Sequence, residues 1–220
     1  AAASVRRYSI TRVSPAADRI EIAVQRDDNG GGGSMAVHRD YQLGMTLHCS
    51  LPGNDFELHD DERPAVLIAG GIGITPIFAM AQALADQGRK PVVHYAARSR
   101  GEAALLEALE HMLGAALRFY ASDTGSRLDV AQVFAEAAVG SVFYVCGPSS
   151  LIDAVRAAAR DAGVAADRVR FERFAAASMQ TEDRALRVTL RRSGKVVEVG
   201  KAQSVLDAVQ AAGVDTPSAC

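Results

Sequence analysis

One stretch constrains this chain more than any other: Ala65-Val66-Leu67-Ile68-Ala69-Gly70-Gly71-Ile72-Gly73-Ile74-Thr75-Pro76, an apolar run that ends in clustered glycines and passes straight into a helix-starting pattern. Residues 65–69 are few, apolar and rich in branched side chains, the composition of a parallel strand buried on both faces. Gly70, Gly71 and Gly73 carry no Cβ, which permits a tight turn and close approach of another molecule to the backbone. Thr75 is a good N-cap, and Pro76 at the first helical position gives up no needed N–H. The helix expected over 76–87 would aim its free N–H groups and positive dipole end at the turn, a site for a phosphate or pyrophosphate. Gly71-x-Gly73-x-x-Pro76 departs from the Gly-x-Gly-x-x-Gly fingerprint, and Arg98, Ser99 and Arg100 stand where an acidic ribose ligand is expected. On these residues alone, an ordinary strand-to-helix turn without a ligand stays open.

From this turn onward the pattern alternates. Strands are expected over 91–97, 117–121, 141–146 and 169–172, and helices over 102–113, 130–138 and 149–162, the last capped by Ser149. The stripe Leu105, Leu106, Leu109 and Leu113 reads as core rather than as a partner surface. Such βαβ alternation is the signature of a doubly wound parallel sheet, whose ligands sit beyond the carboxyl ends of the strands. The Gly70 turn, Arg98, Asp123 and Cys146-Gly147-Pro148 all fall at such ends.

Upstream the texture is β-rich, with strands expected over 5–10, 19–25 and 46–51 and a turn at Ser14-Pro15-Ala16-Ala17-Asp18, which points to a sheet or barrel. Four glycines in a row precede Ser34. They form either a flexible loop or a backbone nest in which Gly32, Gly33 and Ser34 offer N–H groups to an anion at the start of a short helix through Ala36 and Val37. Arg6 and Arg26 either supply matching charge or are simply solvated. Cys49 is expected to be a small buried residue, and His38 and His48 to be structural. Downstream, 175–183 has neither period and reads as a linker. Residues 186–190 and 196–199 then alternate around Ser193-Gly194 as a hairpin, and Ser204 caps a helix over 205–212 stopped by Gly213.

Composition removes several function classes. With 49% hydrophobic and 23% charged residues the chain is globular. A net charge of −2 argues against a nucleic-acid surface as the main function. No apolar run approaches a membrane span and the start lacks a secretory segment, so the expected location is cytoplasmic. Three cysteines, Cys49, Cys146 and Cys220, are too few and scattered for a disulfide framework, and no Cys-x-x-Cys offers a metal site. Residue 1 is not Met and the chain stops at Cys220, from which a piece of a longer protein is expected.

Taken in order, the motifs resemble one family, the reductases of phthalate dioxygenase and vanillate demethylase, which carry FMN and a plant-type iron–sulfur centre and serve Rieske oxygenases. Arg6-x-Tyr8-Ser9 is similar to the family's flavin-binding segment, and Gln25-Arg26 with Gly32-Gly33-Ser34 to its FMN-phosphate segment. Gly70 to Pro76 resembles its nicotinamide-nucleotide turn, Tyr144-Val145-Cys146-Gly147-Pro148 its nicotinamide-side motif, and Phe171-Glu172-Arg173-Phe174 its Phe-Glu-x-Phe near the flavin. Val205-Leu206-Asp207-Ala208 and Pro217-Ser218-Ala219-Cys220 resemble the entry to a ferredoxin cluster loop.

The resemblance implies a multidomain β plus α/β protein. Residues 1–62 would be the C-terminal part of an antiparallel FMN-binding β-barrel and 63–175 a ferredoxin-reductase-like NAD-binding domain. Residues 176–184 would be a linker and 185–220 the first part of a plant-type [2Fe–2S] ferredoxin domain. It further implies an oxidoreductase that passes a hydride from NADH, or NADPH, to FMN and then single electrons through a [2Fe–2S] centre to a Rieske-type oxygenase. Ser9 and Cys146 would line the hydride-transfer site, with no certain catalytic residue. Arg6, Tyr8, Ser9, Ala23, Val24, Gln25, Arg26, Gly32, Gly33, Ser34 and Phe174 would bind flavin. Gly71, Gly73, Ile74, Thr75, Pro76, Arg98, Asp123, Cys146, Gly147 and Pro148 would bind nucleotide. Asp123 and Glu172 are candidate acid–base groups, although a solvated loop aspartate is the better account of Asp123, and no residue is required to act as acid or base. Cys220 would be the first cluster ligand. A plant-type cluster needs four thiolates, so this chain as written would hold none. A cluster-free flavin or ferredoxin reductase and a non-catalytic dinucleotide-binding module are the alternatives.

Overall fold

In the computed structural model, which describes residues 5–174, 184–201, 203–214 and 216, the apolar run forms strand β3, Ala65–Gly70, buried at every position. Its alternate side chains enter different cores. Leu67 and Ala69 pack on one face of the sheet, and Val66 and Ile68 on the other. A strand covered on both sides must be apolar throughout, which is why the sequence shows a run there and not an alternation. Leu67 and Ile68 are fully buried, and each burial contributes about 2 kcal/mol.

Around β3 lies a five-stranded parallel sheet. The other strands are β4, Val92–Ala97; β5, Leu117–Ala121; β6, Val142–Cys146; and β7, Val169–Glu172, in the order β5-β4-β3-β6-β7. Helices α2, Ile74–Asp86, and α3, Leu106–Leu113, supply Ile77, Phe78, Leu84, Leu106 and Leu109 to the first core. Helices α4, Val130–Glu136, and α5, Ser149–Asp161, supply Val133, Phe134, Ile152 and Val155 to the second. The strand order runs outward from β3 through β4 to β5, then restarts at β6 on β3's other side. The crevice between the ends of β3 and β6 is thus the topological switch point, where open α/β sheets bind ligands. The register brings Ala69 opposite Cys146 and Cys146 opposite Glu172, and Ala97 opposite Ala121, so these ends share one rim.

The segment entering β3 is tied to β6 from below. The Tyr144 hydroxyl accepts from the His59 backbone N–H at 2.7 Å and lies 2.8 Å from His59 Nδ1, while Phe56 meets the Tyr144 ring edge-on at 5.8 Å.

Several expectations shift. Strand β1 is Ile10–Val13, not 5–10, and β2 is Ile20–Ile22, not 19–25. The turn between them sets this: Ser14 N–H donates to Arg19 O at 2.9 Å and Ser14 Oγ to Asp18 Oδ1 at 2.6 Å, so pairing begins beside the turn and stops after Ile10–Ile22. Residues 46–51 form no strand, and Leu47, Cys49 and Leu51 are exposed, so Cys49 is not the buried residue expected. A half-apolar segment becomes a strand only beside a partner ladder, and among the described residues it has none. Helix α3 begins at Leu106 rather than 102, after Leu105 adopts a left-handed φ of 60°. The caps expected at Thr75 and Ser149 do not form. Gly73 and Pro148 hold the N-cap positions of α2 and α5, and Thr75 Oγ1 instead donates to Ile72 O at 3.0 Å.

Residues 8–175 form one compact unit, and residues 1–7 with 176–220 a second. In the second unit, β8, Leu186–Thr189, and β9, Val196–Val199, make the expected hairpin, and α6, Val205–Ala211, covers it with Ala208 and Val209 against Val197 and Val199. Ser204 caps α6 as expected, accepting from Asp207 N–H at 3.0 Å. The linker reading falls almost wholly, and Cys220 entirely, outside the described residues. No helix among the described residues is long and apolar enough to cross a membrane.

Candidate functional site

At the switch point the glycines divide the work. A Cβ on Gly73 would stand 2.3 Å from Cys146 O and 2.7 Å from Gly147 N. One on Gly70 would stand 2.8 Å from both Pro148 Cδ and Leu151 Cδ2. These two glycines therefore exist to let the turn after β3 lie against the turn after β6. Gly71 is different: its φ is +55° and nothing lies within 4 Å of where its Cβ would be. It is the position at which the backbone faces open space at the head of α2. A 13-residue helix presents about half a positive charge at that end. Thr75 is buried with its hydroxyl turned to Ile72 O, and Ile74 N–H bonds back to Gly71 and Ile72 carbonyls, so the turn is rigid.

The opposite wall is Cys146-Gly147-Pro148. Cys146 is fully buried, and burial, aided by the Glu172 carboxylate, pushes its thiol pKa far up. Glu172 is itself raised, by burial first and by Asp55 second. Further along the rim the ends of β4 and β5 are joined: Asp123 N–H donates to Arg98 O at 2.9 Å and Ser122 Oγ to the same oxygen at 3.4 Å. Arg98 lies 3.6 Å from Glu102, and Arg100 makes a bidentate pair with Glu110. That guanidinium holds the Glu110 carboxyl below the usual carboxylate range.

A second cluster lies before β3. Helix α1, Gly33–Asp40, starts from Gly32 at φ 80°, the left-handed conformation a nest requires. Ser34 Oγ accepts from Asp27 N–H at 3.0 Å and Asn29 N–H donates to Asp27 Oδ1 at 3.0 Å, folding the loop over the helix start. His38 Nε2 lies 2.8 Å from Val24 O, tying α1 to the segment holding Ala23, Val24, Gln25 and Arg26. Arg26 Nε donates to Asp28 Oδ1 at 2.7 Å. Tyr8 and Ser9 are half-buried just before β1. Arg6 falls in the other unit, where it donates to Val5 O at 2.9 Å. Phe174 is half exposed beyond β7.

Comparison with known proteins bears on this arrangement. Residues 50–169 match the family model described as dimethylamine monooxygenase subunit DmmA-like, N-terminal domain. Over 216 residues the chain is 38% identical to the phenoxybenzoate dioxygenase subunit beta of Ectopseudomonas oleovorans, covering 98% of this chain and 67% of that protein. It superposes on phthalate dioxygenase reductase, a structure described as modular for electron transfer from pyridine nucleotides to [2Fe–2S], with a TM-score of 0.75 and 32% identity, over 98% of this chain and 68% of that one. The chain belongs to the phthalate dioxygenase reductase family. It is an oxidoreductase of the kind that serves as the reductase component of oxygenase systems. It also superposes on an intact type IV self-sufficient cytochrome P450 monooxygenase with a TM-score of 0.81 and 36% identity, over 99% of this chain but only 29% of that one.

Sequence reasoning missed three features of this reductase chain. Glu110 pairs with Arg100 across an irregular loop, which leaves no periodic signal, and Glu102 pairs with Arg98 at an i,i+4 spacing outside any helix. His59 locks to Tyr144 over a separation of 85 residues. A cavity of about 250 Å³ lies away from the expected site, between α4 and the β4–β5 edge. It is lined by the buried His94, the half-buried Tyr120 and the exposed Arg118, Asp129, Gln132 and Glu136.

Proposed function

We propose that this chain binds a nicotinamide dinucleotide at the β3–β6 crevice and FMN beside it, and delivers electrons to an oxygenase. The observation that carries the reading is the interlocked pair of turns, Gly70–Gly73 against Cys146–Gly147, which leaves only Gly71 facing open space at the positive end of α2. A pyrophosphate laid there meets backbone and a helix dipole, with no side chain to displace. Arg98 and Asp123 then lie along the path of the adenosine end, and Cys146-Gly147-Pro148 flank the nicotinamide. Because Cys146 is buried and protonated, its part is to shape that wall and not to act as a nucleophile.

The chemistry of the loop at 27–34 fits a flavin phosphate. Gly32 supplies the nest, α1 its dipole, and Arg26 a guanidinium that must exchange Asp28 for phosphate. Tyr8 and Ser9 would meet the ring system, Ser9 by hydrogen bonding. Bound flavin supplies the conversion of a two-electron donor into single-electron output. The protein's own work is to orient the two cofactors and keep water from between them. The donor set does not fit an iron–sulfur cluster: the sequence holds three cysteines, Cys146 is buried in β6 and Cys49 sits in a loop, so no step is routed through a cluster here. In the proposal Cys220 is the first ligand of a [2Fe–2S] relay, a three-domain division with breaks near 62 and 185 applies, and the location is cytoplasmic.

A Rieske-type oxygenase is the proposed acceptor. The likeness to a self-sufficient P450 favours a haem oxygenase as the second reading. The test is direct. The purified chain supplied with FMN should retain yellow colour through gel filtration and oxidise NADH with an artificial electron acceptor. A colourless protein that leaves NADH untouched would overturn the proposal.

A further inference from the structure

The rim beyond β4 carries two arginines where a dinucleotide fold chooses between a ribose hydroxyl and a 2′-phosphate. Both are already engaged. Arg100 Nη1 donates to Glu110 Oε1 at 2.7 Å and Nη2 to Oε2 at 2.5 Å, the parallel fork that guanidinium would otherwise offer to phosphate. Arg98 lies 3.6 Å from Glu102. Glu110 is not a loose partner. It projects from α3, which is anchored by fully buried Leu109 and by Leu106 at 3% exposure.

The loop between the two partners is folded on itself. Glu102 N–H donates to Ser99 Oγ at 3.3 Å and Ala103 N–H to Arg100 O at 3.2 Å, and the left-handed Leu105 turns the chain into α3. Asp123 adds a third carboxylate, fixed to this rim by its N–H on Arg98 O. Both arginines are thus already paired with carboxylates, and a phosphate dianion must compete with Glu102 and Glu110 for them.

We propose that Glu110 is a specificity-determining residue: by holding Arg100 in a bidentate pair it withholds the guanidinium that a 2′-phosphate requires, and so turns the site against NADPH and toward NADH. This rests on the dinucleotide reading above. The pair is partly exposed, 61% at Arg100 and 39% at Glu110, so its effect is bounded, but its bidentate geometry places it among the surface pairs that count.

The experiment is a titration of the full chain with NADH and with NADPH, for the wild type, Glu110→Gln, and Glu110→Gln combined with Arg100→Gln, with folding checked by circular dichroism. The wild type should bind NADH more tightly. Glu110→Gln should tighten NADPH about tenfold and leave NADH within about twofold, and the added Arg100→Gln should abolish the gain. The gain should shrink at high salt, since it is a charge contact at the surface. If both nucleotides bind but Glu110→Gln leaves their ratio unchanged, or the double variant keeps the gain, the proposal is wrong while the dinucleotide site stands. If neither nucleotide binds the wild type, both fall together.

Discussion

Replacing Gly73 with Ala adds one methyl group at the crevice between β3 and β6. That carbon would lie 2.3 Å from Cys146 O, 2.5 Å from Cys146 C and 2.7 Å from Gly147 N. All three are backbone atoms at the end of a central strand, so no rotamer change relieves the clash and the two turns must part. Overpacking of this sort costs about 1–3 kcal/mol, and with no side chain able to yield the upper end applies. For a unit spanning residues 8–175, about 3 kcal/mol corresponds to a fall in Tm of about 6–12 °C. Gly71→Ala is the control, because its Cβ meets nothing within 4 Å and only the φ of +55° is strained. It should cost about 1 kcal/mol and lower Tm by about 2–4 °C. Thermal unfolding followed by circular dichroism reads both. A Gly73→Ala protein that melts with the wild type, or a Gly71→Ala protein that falls as far as Gly73→Ala, would refute the division of labour between these glycines.

Tyr144→Phe removes the hydroxyl that accepts from the His59 backbone N–H inside the fold, and should cost about 1–3 kcal/mol in urea unfolding. Exposed Cys49 should label rapidly with iodoacetamide and buried Cys146 only on unfolding, as read by peptide mass spectrometry. Burial holds the His94 pKa down at about 4 against an unfolded value of 6.5, so the unfolded chain takes up its proton first. Stability should therefore be lost as pH falls from about 6.5 toward 4, and His94→Asn should flatten that slope in pH-dependent melting.

The doubly wound sheet was legible because burial on both faces leaves an unmistakable mark. A run such as 65–69 is apolar at every position only if both faces are covered. The hairpins at 10–22 and 186–199 were legible from their turn chemistry, although the ladder nearest Ser14 pairs and the more distal residues do not. Caps failed at Thr75 and Ser149 because the preceding backbone, Gly73 and Pro148, already sits at the N-cap positions. Residues 46–51 misled because strand propensity describes a side chain's fit to a paired neighbour, and that neighbour is not in the pattern itself. The glycine cluster lies at the carboxyl end of β3, as its pattern predicts. Its reason was only partly visible, since the need for Gly73 comes from a strand more than 70 residues away in sequence. The Arg100–Glu110 pair crosses an irregular loop and had no local signature at all.

The account depends on a dinucleotide lying over Gly71 at the head of α2, and calorimetric titration of NADH into wild type and Gly71→Val tests it most directly. A single saturable site in the wild type, weakened at least about tenfold in a Gly71→Val protein with native circular dichroism, is the predicted result. Equal affinity in the two proteins would contradict it.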